Sequence, residues 1–215
     1  MYISGIGVVS DKTEKDISIL KGLRRADDFS KMATLAAHNA FMDSGLKEET
    51  KVSLGVILST AFGPHVTTFK FLDDILDYGD ANVSPTLFSH SVHNAANSYI
   101  SSNLGIFGPT LTLTDFSKSF YQALLVAQSW LEEKRCEHIL VGYVEQHGKE
   151  IDYILSSIEN EYFINEGSVF FLVSAAKCLK EYGSIDALTY QNESVSGFSL
   201  AKSLLESKDY EREVK

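Results

Sequence analysis

Residues 114–119, Thr-Asp-Phe-Ser-Lys-Ser, join a strand-like run, "PTLTLT", to a helical pattern with Tyr121, Leu124, Leu125 and Trp130 on its apolar face. Strand, tight turn and helix form the frame that presents a nucleophile at a helix N-terminus, where the dipole lowers a thiol's pKa. The residue in that place is Phe116, which has no nucleophilic atom. Ser117 is a weak alternative, because its hydroxyl is one residue off the elbow and serine attacks only with an adjacent base. Ser91 has His90 and His93 on either side but no G-x-S-x-G elbow. The two histidines are expected to be polar cap and interface residues at a helix start, since no third metal ligand is near. Asp115 is expected to cap the helix that follows, and Lys118 to face solvent.

The surrounding elements read as alternating strands and helices. Tyr2–Ser10, "YISGIGVVS", is a β-branched strand whose glycines do not make G-x-G-x-x-G, so it gives no nucleotide signature. A helix follows through Met32, Leu35, Ala36, Ala40 and Phe41, with Ser30 expected as its cap and Gly45 as its end. Val52–Thr60 is a continuous apolar strand of the kind covered on both faces. After Gly63-Pro64 an amphipathic helix is expected through Phe69, Leu72 and Ile75, then a loop, then a small-residue helix over Val92–Leu104. "CEHILVGYVEQ" and "SVFFLVSAA" read as two more strands, separated by a connection of about 20 residues, long enough to suggest a functional or partner-covered loop. Trp130 is expected to pack its helix on the sheet. The pattern predicts an α/β fold, a layered helix–sheet–helix domain over residues 1–183, with 184–215 as a partly helical C-terminal extension.

Composition narrows the class. Of 215 residues 44% are hydrophobic, enough for one sizeable core. The net charge of −10 argues against nucleic acid or an anionic membrane as partner, because phosphate binding needs clustered Lys and Arg. The one basic run, Lys21–Arg25, reads as solvated. Cys136 and Cys178 support neither a disulfide framework nor a zinc site. No apolar run approaches the ~18 residues of a membrane span, and no signal peptide is seen at the N-terminus, which makes the cytoplasm the expected location.

Several stretches resemble, in order, the N-terminal half of β-ketoacyl synthases of the thiolase superfamily. "YISGIGVVS" is similar to their opening "TGxGxVS", and "GVILSTAFGPHVTT" to "GVxxGTxxGG…T". "SPTLFSHSVHNAANSYISSNLGIFGPTLTLTD" resembles the "SPxxFxxSxxNxxAgxiaxxxgxxGPxxtxxta" approach to the nucleophile, with Ser84, Pro85, Asn94, Gly108 and Pro109 in place. "HILVGYVEQ" and "EGSVFFLVSAAKCL" match "alvGgvde" and "eGaaalvLe".

The resemblance implies a thiolase-like fold and locates two departures. The family's "TACSS" is here Thr114, Asp115, Phe116, Ser117, Lys118, so Phe116 occupies the nucleophile position, either plugging or flooring the acyl pocket or serving as a core phenylalanine. The histidine motifs of a C-terminal half have no counterpart, so condensation by this chain alone is not expected. In the superfamily the strand before the nucleophile lies beside the dimer axis and pairs with its counterpart. Pro109, Leu111, Leu113, Thr114, Asp115, Phe116 and Asn94 are therefore the expected interface and pocket residues, and the half-polar "TLTLT" suits an edge that another chain covers. The implied role is a non-catalytic subunit, like a chain-length factor, of an active ketosynthase in polyketide, polyene or fatty-acid-type biosynthesis. The expected partner is a full-length ketosynthase, or a second copy in a homodimer, with an acyl carrier protein as a further candidate and no cofactor or metal. The alternatives are an acyltransferase or thioester hydrolase with a recruited serine, and a homodimeric binding protein. A half-fold of this kind is expected to be dimeric or poorly soluble alone.

Overall fold

The structure, a computed structural model, describes residues 1–10, 20, 22–157, 165–190 and 196–213. Lys21 of the basic run, residues 158–164 of the long connection and the last two residues of the tail lie outside the described residues.

One six-stranded mixed sheet organises the chain. Its strands are β1 (Tyr2–Val9), β2 (Leu54–Thr60), β3 (Thr110–Thr114), β4 (His138–Glu145), β5 (Gly167–Ser174) and β6 (Gly183–Ser184), in the order β3-β2-β4-β5-β1-β6. β2 is parallel to β3 and β4, whereas β5 is antiparallel to β4 and β1. β2 and β5 are buried along their whole length. That is why their sequences are continuous apolar runs rather than alternating ones.

Helices cover both faces. α1 (Asp28–Ser44) and α4 (Ala95–Leu104) pack on one, burying Phe29, Met32, Phe41 and Ile100 against Val56, Leu58, Leu140 and Phe170. α5 (Ser119–Glu132) covers the other, with Phe120, Leu124 and Trp130 against Ile57, Val141 and Phe171. Trp130 thus packs its helix on the sheet, and Arg135 stacks over its ring. α7 (Gly197–Glu213) joins α5 on that face through Leu200 and Ala201, in the same cluster as Ile185 and Ala187. No helix among the described residues is long and apolar enough to cross a membrane.

Local chemistry corrects the sequence reading in three places. The cap of α1 is Asp27, whose Oδ1 accepts from the Ser30 amide at 3.0 Å, while Ser30 lies buried inside the first turn. Gly45 does end α1, at φ 69°. The segment expected as a loop after α2 (His65–Tyr78) contains α3 (Pro85–His90), started by Ser84, whose hydroxyl accepts from the Leu87 amide, and by proline at the first position. Finally, Phe69 and Leu72 of α2 are exposed, and the side that packs is Phe71, whose ring lies 5.5 Å from that of Phe88. The long connection after β4 begins with α6 (Lys149–Ser157).

Asp27 Oδ2 also accepts from Thr67 Oγ1 at 2.9 Å, tying α1 to α2. Asp27→Ala is expected to cost about 2 kcal/mol, a cap plus one tertiary hydrogen bond, read as a lowered urea midpoint with unchanged slope. A midpoint equal to that of the parent would remove Asp27 from this role.

Candidate functional site

β3 is an edge strand, and its parity decides what that edge offers. The Val56 amide donates to Pro109 O at 2.9 Å and the Asp115 amide to Thr60 O at 3.3 Å. With the register Val56↔Thr110 to Thr60↔Thr114, residues 109, 111, 113 and 115 turn their backbone groups to β2. The N–H and C=O groups of Thr110, Thr112 and Thr114 therefore face the open side. The side chains sort the other way: Leu111 and Leu113 pack into the α5-side core, and Thr112 meets α4, where Asn97 Nδ2 donates to Leu111 O and Thr112 Oγ1, both at 2.8 Å.

Beyond the C-terminal ends of β2 and β3 the turn opens into a cavity of about 600 Å³ lined by Ala61, Phe62, His93, Thr114, Asp115, Phe116 and Ser117. A second, of about 390 Å³, continues along the edge past Asn94, Asn97, Thr110, Leu111 and Thr112, with His93 lining both. His93 packs against Gly63: a Cβ added there would come within 2.5 Å of the imidazole, at a φ of 66°. Phe116 is 67% exposed and is not a core residue; its ring meets that of Phe62 at 5.3 Å, tilted by 58°.

The sequence-derived candidates divide accordingly. Thr114, Asp115, Phe116 and Ser117 come together around the first cavity, and Asn94 and Leu111 line the second. Leu113 packs toward α5, and Pro109 supplies a carbonyl to β2. His90 is buried rather than a surface cap, its Nε2 2.7 Å from Tyr99 Oη. Among the described residues no group of three His, Cys, Asp or Glu could hold a metal.

Asp115 caps the turn ahead of α5 rather than the helix's own first turn. Its Oδ1 accepts from the amides of Ser117 and Lys118, both at 2.8 Å, and Oδ2 accepts from Gln122 Nε2 at 2.9 Å. The Lys118 and Ser117 amides hold its carboxyl below the usual carboxylate range. Ser117 Oγ donates to the same carboxylate at 3.3 Å, and Ser91 Oγ to Phe88 O at 2.9 Å. Neither of these two serine bonds goes to a histidine. Lys118 is exposed.

Phe62 and Glu145 were not singled out by sequence. Glu145, fully buried at the end of β4, accepts from Thr60 Oγ1 at 3.0 Å, the Ala61 amide at 2.7 Å and the Phe62 amide at 3.2 Å. Thr60 Oγ1 in turn accepts from the Gly63 amide at 2.9 Å, so one carboxyl fixes the turn that carries Phe62. Burial pushes this carboxyl up to about 7, against the opposing pull of the Ala61 and Phe62 amides. His65, behind Phe62, is pushed below its ordinary value by burial; its Nδ1 lies 3.3 Å from Gly63 O, and its buried Nε2 has no hydrogen-bond partner among the described residues.

These two groups give opposite pH dependences. Between about 4.5 and 7 folded Glu145 keeps a proton that the unfolded chain has released. Its contribution is complete at the acid end and falls by on the order of 3 kcal/mol as pH rises through 7. His65 binds its proton less readily when folded, so its contribution is complete above 6.5 and falls on acidification. Glu145→Gln is expected to abolish the decline between pH 5 and 7.5 in urea titrations and leave the His65 rise visible. An unchanged slope in this variant would show that Glu145 does not titrate there.

Known proteins share this fold. A profile described as Beta-ketoacyl synthase, N-terminal domain, matches residues 8–160. No curated protein matches by sequence. Among solved structures the fold is shared with the ishigamide ketosynthase/chain length factor (TM-score 0.69, 17% identity, 83% of this chain and 63% of that one). It is shared too with AntDE:AntF, a type II PKS acyl-carrier protein in complex with its ketosynthase bound to the hexaketide (0.70, 16%, 80% and 62%). A third is the ketosynthase ApeO in complex with its chain length factor ApeC from Xenorhabdus doucetiae (0.62, 14%, 81% and 78%). The chain spans a little under two thirds of the first two.

Proposed function

The chain belongs to the β-ketoacyl synthase N-terminal domain family, and from that premise we propose that it is a non-catalytic, chain-length-factor-like partner of an active ketosynthase in polyketide, polyene or fatty-acid-type biosynthesis. The observation that carries this reading is Phe116, a ring without a nucleophilic atom at the turn beside an open strand edge, tilted against Phe62 at the mouth of a cavity. Two of the structural neighbours are described as ketosynthase and chain length factor together. In this reading residues 1–183 form the ketosynthase-type unit, 184–215 an extension laid on it, and an acyl carrier protein delivers substrate to the pair. Thr110, Thr112 and Thr114 meet the partner, and Phe116 with Phe62 bounds the space open to a growing acyl chain.

Co-expression with a full-length ketosynthase, followed by affinity capture and sizing, tests the pairing. A one-to-one complex is expected, and Phe116→Ala within it is expected to shift products toward longer or mixed chain lengths by mass spectrometry. A chain that sediments only as its own homodimer beside the ketosynthase would overturn the heterodimer. Thioester hydrolysis by the isolated chain, abolished by Ser117→Ala, would overturn the non-catalytic reading.

A further inference from the structure

Phe69, Leu72 and Leu76 fall on one face of α2 at spacings of three and four, and all three are exposed, Leu76 by 82%. On the other side of α2, Phe71 meets the ring of Phe88 on α3 at 5.5 Å, and Thr68 Oγ1 anchors the helix start through Pro64 O and Ser91 O. An exposed apolar stripe on a helix that is otherwise held in place marks a contact surface.

Its charge selects the occupant. Asp73 and Asp77 flank the stripe, Asp74 and Asp80 add further negative charge on and just beyond the helix, and Lys70 is its one lysine or arginine. Among the described residues none of these four carboxylates forms an ion pair. A second copy docked on this face would set carboxylates against carboxylates, and an acidic partner or an anionic lipid surface would meet the same repulsion. We infer that the Phe69–Leu72–Leu76 face of α2 is a docking site for a partner segment that is apolar along its contact line and basic at its rim, an amphipathic cationic helix. This surface is separate from the β3 edge and does not depend on the pairing proposed there.

The probe is a synthetic helical peptide of about 15 residues with leucines at positions a and d and lysines elsewhere, beside its counterpart with glutamates for the lysines. Titration calorimetry and amide NMR are expected to show binding of the lysine peptide, with shifts centred on α2. Leu72→Ser with Leu76→Ser is expected to weaken it by at least roughly tenfold with thermal stability unchanged, since each leucine buried contributes that order of affinity. Asp73→Asn with Asp77→Asn is expected to weaken it and reduce its salt dependence. Equal binding of the glutamate peptide, equal binding to the variants, or no binding would each overturn the inference. So would a parent dimer in sedimentation that Leu76→Lys converts to monomer, which would give this face to a second copy.

Discussion

Gly7→Ala is expected to leave no folded protein at ordinary expression temperature. β1 runs directly beneath α1, and a Cβ on Gly7 would stand 2.1 Å from Ala36 O and 2.6 Å from the Ala40 amide nitrogen. Gly5 meets Ala40 O at 2.0 Å in the same way. These are backbone atoms inside a helix, so relief requires shifting the whole of α1 off the sheet and opening the core around Phe29, Met32 and Phe41. The cost, about 5 kcal/mol or more, matches the whole stability of a typical domain. Gly45→Ala is the control: nothing lies within 4 Å, and only its φ of 69° is strained, for about 1 kcal/mol. Soluble yield and circular dichroism melting compare the two. A cooperative transition in Gly7→Ala within a few degrees of the parent would mean that helix and strand do not meet this closely.

Thr112→Pro is expected to weaken the proposed complex with a ketosynthase about a hundredfold while leaving the chain folded. The Thr112 amide faces the open side of β3, so proline there removes no bond to β2 and loses only the Asn97 contact, about 1 kcal/mol. It does remove a donor from the edge and sets a ring in the path of an incoming strand, for about 3 kcal/mol, roughly a hundredfold in affinity. Leu113→Pro, one residue on, strikes the ladder with β2 instead and is expected to lower stability itself by about 3 kcal/mol. Full complex formation by Thr112→Pro in the same capture assay would move the interface away from β3. Melting curves of the uncomplexed variants separate the two effects.

The strands were legible because burial on both faces writes itself as uninterrupted Val, Ile, Leu and Phe. Leu54–Thr60 and Gly167–Ser174 are such runs. Helix ends were less legible. Asp27 and Ser30 are both capping types three residues apart, and only the hydrogen bond tells them apart. α3 carried its own signal in Ser84-Pro85, but its six residues are too few to show a helical period. On α2 two apolar faces compete, Phe71 with Ile75 and Phe69 with Leu72 and Leu76, and periodicity does not say which one meets the protein. At the site, the position of Phe116 was readable from the strand–turn–helix frame. Phe62, Asn97 and Glu145 were not, because each acts across chain distances that no local pattern spans: Glu145 Oε2 reaches Ala61 over 84 residues.

The strand order also sets a timetable for the chain. β5 stands between β4 and β1, and Ser4 Oγ donates to Leu172 O across 168 positions. On a ribosome β1 emerges first, and the strand it pairs with emerges among the last. Until then the apolar edges of β1 and β4 are both unpaired, and α1 has only half a sheet beneath its buried face. Contacts of such long range slow folding and expose nascent chains to aggregation. Closure of the sheet therefore waits on β5, while β3, at the far edge, stays open to pairing before and after that step.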